Sequence, residues 1–174
     1  MESLDPFKLY WRSYGGWIAL IKSPYFWTAA ILTGACHSYW SDVDMFEGRK
    51  TAQLAIDIIP SLMAFSLGGM AILLAFSSGR FIDAIREDGK PNSLFMEIVA
   101  NFFHFLIIQT MALGAAFLTN AFPTSNWLAG AAFFLLSYSL TAALAASAML
   151  LNASRIFNKL GGHPKKKEGE NGNP

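Results

Sequence analysis

Four long stretches of this chain run almost without charge, and they constrain its fold more than any motif does. Pro24 to Trp40 carries no Asp, Glu, Lys or Arg, and neither does Trp127 to Ser154. Leu54 to Gly79 holds only Asp57, and Leu94 to Asn120 holds only Glu97, each near the start of its stretch. A bilayer crossing takes about 20 mostly apolar residues, each rising about 1.5 Å. A soluble bundle would need a polar outward stripe on every helix, and these stretches have almost none. The expectation is an all-α integral membrane protein with four transmembrane helices, over 24–40, 54–78, 95–119 and 127–152. The first is short, so it must tilt little or thin the bilayer. Composition agrees: 14% of residues are charged, against roughly 25% in soluble domains.

Loop charges set the expected orientation. Lys8, Arg12 and Lys22 precede the first stretch. Arg80, Arg86 and Lys90 lie between the second and third. Arg155, Lys159, Lys165, Lys166 and Lys167 follow the fourth. Only Arg49 and Lys50 fall on the other side. Both termini are therefore expected in the cytoplasm (N-in/C-in), in a bacterial inner membrane. Trp11, Trp17 and Trp27 mark the inner boundary, and Trp40 and Trp127 the outer one, as amphipathic rings do. Cys36 closes "LTGAC", which faintly resembles a lipoprotein cleavage box. A small apolar thiol inside the first helix is the simpler reading.

Residues 1–160 read as a single domain and 161–174 as a disordered basic and polar tail. Within 6–21, Phe7, Tyr10, Trp11, Tyr14, Trp17, Ile18 and Ile21 recur at helical spacing beside Lys8 and Arg12. That pattern predicts an interfacial amphipathic helix on the inner leaflet. Gly15-Gly16 should kink or end it, and Pro24 suits the first turn of the next helix.

The third stretch poses the functional question. Asn101, His104 and Gln109 sit in apolar "NFFHFLIIQT", where a polar side chain facing lipid costs several kcal/mol. Glu97, Asn101 and His104 share one helix face, and Gln109 lies about 140° around from His104. These four are the candidate polar or pore-lining face, and they should meet protein or water. Small residues recur on the neighbouring helices: Ala64, Gly68, Ala71 and Ala75 on the second, Ser137 and Thr141 on the fourth. Such spacing lets helix backbones approach closely, so these six are the helix-packing candidates, with packing inside the chain the first expectation. Arg80, Phe81, Ile85 and Arg86 extend the second helix past the membrane and form a candidate docking surface for a soluble partner.

No converging set of residues marks catalysis or a metal, and quinone or haem ligation by His37 or His104 stays open as an alternative. There is no His-Glu-x-x-His set, no cysteine pair, no Gly-rich phosphate loop and no Ser/His/Asp combination. The expectation is therefore no enzyme activity, no cofactor and no nucleic-acid partner. "PSLMAFSLGGMAILLAFSSGRF" resembles small four-helix bacterial membrane proteins of the prophage and phage-defence effector type. It is also similar to the pore helix of bestrophin-type anion channels, but the chain lacks the large cytoplasmic helical region of that family. Either resemblance covers only this stretch, and no functional residue is carried over from it. Small size, no enzymatic constellation, a deformable second helix and a mid-bilayer polar face lead to the expectation of a homo-oligomeric effector that perturbs membrane permeability, as toxin or defence proteins do. The alternatives are a membrane anchor or sensing subunit for a soluble cytoplasmic partner, and a redox or lipid enzyme subunit using His104.

Overall fold

The computed structural model describes residues 5–42, 50–75, 85–90 and 93–161. Seven α-helices carry these residues: α1 (Pro6–Tyr14), α2 (Gly16–Lys22), α3 (Pro24–Ala35), α4 (His37–Ser41), α5 (Lys50–Ala75), α6 (Leu94–Ala121) and α7 (Asn126–Gly161). A single 3-10 turn, Glu87–Gly89, precedes α6, and no strand occurs among the described residues. Arg80, Phe81, the first outer loop and the tail beyond residue 161 lie outside the description.

Three helices are long and apolar enough to cross a membrane: Lys50–Ile72, Leu94–Ala121 and Asn126–Arg155. The first apolar stretch departs from the expected single span over 24–40. Its helix α3 has 12 residues, a rise of about 18 Å, and breaks at Cys36 before α4 begins. The cause is local. His37 N–H would close the next helical turn on the Thr33 carbonyl, but the Trp40 indole N–H donates to that oxygen at 2.8 Å. Thr33 also turns its own hydroxyl back onto the Ala29 carbonyl at 2.8 Å, a contact that bends helices. Gly34 lowers helix propensity at the same point. The Trp40 ring then lies against Gly130 of α7, where an added Cβ would sit 3.3 Å from it.

The amphipathic N-terminal segment is two helices. Asp5 caps α1 by accepting from the Phe7 N–H at 3.1 Å, with Pro6 in the first turn. Gly15 ends it with φ +95°, a left-handed conformation that glycine adopts without Cβ strain. Pro24 opens α3, where its missing N–H costs nothing.

α6 is the hub, packed against α7, α5 and α1. One apolar cluster joins Ile98, Phe102 and Phe105 of α6 to Ala142, Ala146 and Ala153 of α7. A second joins Ala52, Ala55 and Ile59 of α5 to Ala112 and Ala116 of α6 and Leu136 of α7. The third sets Ala29 of α3 beside Ile108 and Tyr138. Alanines dominate these seams, as close helix approach requires. Large apolar side chains such as Ile31, Ile72, Leu144 and Trp127 point outward, which suits a lipid surround.

Two adjacent glycines on α5 have opposite roles. A Cβ on Gly69 would meet the Phe102 ring at 2.9 Å, while one on Gly68 would meet nothing within 4 Å. Gly69→Ala should therefore destabilise the folded protein by about 1–3 kcal/mol through overpacking. Gly68→Ala should be neutral or gain up to about 1 kcal/mol of helix propensity. Reversible unfolding of both variants in detergent checks the order, and equal losses would place the α5–α6 contact elsewhere.

Candidate functional site

The polar residues of α6 divide between two neighbours. Gln109 is fully buried, and its side-chain amide donates to the Ser66 hydroxyl of α5 at 3.0 Å. Ser66 in turn donates to the Leu62 carbonyl at 3.0 Å. The Gln109 Oε1 has no hydrogen-bond partner among the described residues. This arrangement ties α6 to α5.

His104, only 3% exposed, faces the other way and lies between two phenols. Its Nδ1 is 2.6 Å from the Tyr10 hydroxyl of α1, and its Nε2 is 2.9 Å from the Tyr138 hydroxyl of α7. A neutral imidazole has one N–H and one lone pair, so one phenol donates to it and it donates to the other. Tyr14 stacks on the imidazole at 4.0 Å and 19°. Three side chains form a directional relay, Tyr10–His104–Tyr138, in which reversing one donor reverses the other, and Tyr14 covers the imidazole. Phe103 supports it by meeting Tyr10 edge-on at 5.2 Å and Phe7 at 6.0 Å.

A cleft of about 230 Å³ opens beside the relay, with Tyr14, Ser23, Tyr25, Glu97, Asn101 and His104 in its walls. Glu97 is exposed and Asn101 half-buried. The Asn101 amide donates to the Glu97 main-chain carbonyl one turn back, at 2.8 Å. Glu97, Asn101 and His104 thus share one cleft, while Gln109 belongs to the α5 seam.

The other sequence candidates separate as well. Ser137 is buried and Thr141 half-buried on α7, and the Thr141 hydroxyl lies 3.1 Å from the Tyr25 carbonyl of α3. Ala64, Gly68, Ala71 and Ala75 are all exposed. Their face of α5 is turned away from α6 and α7, because Ser66 and Gly69 occupy the inward positions. The first expectation for this stripe, packing inside the chain, therefore gives way to an open face. Ile85 is 2% exposed and belongs to the α6–α7 core cluster, so it is closed to a docking partner. Arg86 is exposed and lies over the Phe95 ring at 5.5 Å.

Tyr10, Tyr14 and Tyr138 are the site residues that sequence reasoning missed. Tyr10 and Tyr14 were legible as an i, i+4 phenol pair on the amphipathic helix, and Tyr138 as a phenol in an uncharged span. Nothing in the sequence brought them to His104. Among the described residues, no group of three His, Cys, Asp or Glu side chains converges as a metal site. No family model, curated protein or solved structure matches the chain.

Burial, reinforced by the neighbouring Tyr14, pushes the Tyr10 phenol up to about 12. Burial raises Tyr14 too. The docked helix therefore holds Tyr10 neutral. Docking of α1 is complete below about pH 10, where a free tyrosine ionises, and it weakens as pH rises through about 12. The difference in ultraviolet absorbance between wild type and Tyr10→Phe should titrate near the upper value, with Trp11 fluorescence changing alongside. A difference that titrates near pH 10 would mean that α1 is not docked.

The Gln109–Ser66 pair gives an asymmetric prediction. Ser66→Ala strands a buried amide and should cost about 1–3 kcal/mol. Gln109→Leu removes an unpaired acceptor along with the bond, so it should cost about 1 kcal/mol or less. Unfolding free energies of the two single variants decide it, and a costlier Gln109→Leu would overturn the assignment.

Proposed function

We propose that this protein is a homo-oligomeric effector of a bacterial inner membrane that perturbs permeability, acting without enzymatic chemistry. The observation that supports the reading is the open face of α5. Ala64, Gly68, Ala71 and Ala75 recur along one side of a membrane-competent helix, and this side is exposed. In lipid, helices associate where small residues let backbones meet, and large side chains would serve better on a face that only contacted acyl chains. A second copy of α5 fits such a face. The α3–α4 pair completes a fourth, broken crossing, with both termini cytoplasmic as the loop charges require. Broken helices are tolerated at membrane depth where protein covers the freed backbone groups, and α7 covers both α3 and α4.

Of the two roles open to the polar face of α6, helix bridging and pore lining, this reading takes the first. His104 is occupied by Tyr10 and Tyr138, and Gln109 by Ser66. They hold the protomer together, and the permeability pathway lies between protomers at α5.

Purified protein in dye-loaded vesicles tests this reading. Release should rise steeply with the protein-to-lipid ratio, and cross-linking should capture oligomers. Gly68→Leu fills open space in the protomer, so it should leave the helical content intact while abolishing both release and cross-linking. Silent wild-type protein, or full activity of Gly68→Leu, would sink the reading. Reporters after Pro174 and near Glu47 should report cytoplasm and periplasm respectively, and a periplasmic signal at Pro174 would exclude the four-crossing topology.

A further inference from the structure

The cleft beside His104 has a chemistry of its own. Its walls hold one carboxylate, Glu97, and no Lys or Arg among the described residues. The Glu97 side chain makes no hydrogen bond or ion pair with any described residue; its main chain alone is engaged, the N–H donating to the Ser93 carbonyl and the carbonyl accepting from Asn101. The imidazole has both nitrogens committed to Tyr10 and Tyr138. Tyr14, Tyr25, Phe105 and Met149 line the same cleft. Ring faces are electron-rich and attract cations, and the attraction grows when water is excluded.

An anion is disfavoured here, because the one formal charge is negative and the imidazole is already committed. A bare metal ion is disfavoured too, since one carboxylate gives too few hard ligands. The remaining class carries positive charge on an apolar body. We propose that this cleft binds a small amphipathic organic cation, a protonated or quaternary amine, with its charge at Glu97 and its body against Tyr14, Tyr25 and Phe105. The volume of about 230 Å³ accommodates a ligand of single-ring size. Three separate elements, α1, α3 and α6, supply these rings, so an occupied cleft also holds α1 against the bundle. Cation binding here does not require self-association.

Glu97 also lies in the first turn of α6, where a carboxylate favours the helix dipole whatever the cleft does. The test must therefore read binding. Full-length protein in nanodiscs is titrated with benzyltrimethylammonium, with its uncharged carbon isostere neopentylbenzene, and with benzoate. Calorimetry should show saturable binding of the cation to one site per chain. The isostere should bind about tenfold more weakly or worse, and benzoate not at all. Glu97→Gln, at an exposed position, should fold normally and lose about tenfold in cation affinity, while Glu97→Asp retains most of it. Tyr25→Leu should weaken the cation as well. No saturable cation binding, equal binding of the isostere, or unchanged affinity in Glu97→Gln would each overturn the proposal.

Discussion

An imidazole buried in an apolar helix must find partners, and the way His104 finds them organises the whole bundle. Its two ring nitrogens point to different helices, so one side chain fixes α1, α6 and α7 at a single point. A lone polar group of this kind would cost several kcal/mol in hydrocarbon. Shared between two phenols and covered by Tyr14, it becomes a three-way joint. Gln109 repeats the logic on the other side of α6 and catches α5 through Ser66. The central helix is thus held by directional polar contacts to its neighbours, with alanine seams supplying close packing between them.

That joint also decides which surfaces are left over. Once Ser66 and Gly69 face α6, helical geometry turns Ala64, Gly68, Ala71 and Ala75 outward. Phe102 fills the space that Gly69 vacates, so α5 cannot rotate to bury its other small residues without displacing that ring. Docking of α1 through Tyr10 then roofs one end of the α6–α7 seam and leaves a cleft whose one formal charge among the described residues is Glu97. Inner joint, outer face and cleft follow from one rotational setting of the helices.

A short apolar stretch shows how side chains override composition. Pro24 to Trp40 is uniformly uncharged, and nothing in its hydropathy announces a break. The break comes from one indole N–H that competes for the Thr33 carbonyl, and from a Trp40 ring that finds a smooth seat on Gly130. Both are contacts of position, made only when α4 lies against α7.

The sequence by itself determined the class of the protein, all-helical with apolar stretches able to cross a membrane; four such stretches are legible in it, and three of them form helices long and apolar enough to cross. It also determined the stop at Gly15, the start at Pro24, and the need for buried partners at His104 and Gln109. Those properties depend on backbone conformation and on the transfer cost of each side chain, which are local and additive along the chain. Only the tertiary structure decided who the partners are. Tyr10 lies 94 residues from His104 and Tyr138 lies 34. Their meeting depends on the rotation of each helix about its own axis. The same rotation put Gly69 inside and Gly68 outside, and it closed Ile85 into the core. Helical periodicity says which residues share a face, but in a helix apolar all round it does not say which face turns inward. That choice is made by packing against the other helices, where volume and hydrogen-bond direction are settled together.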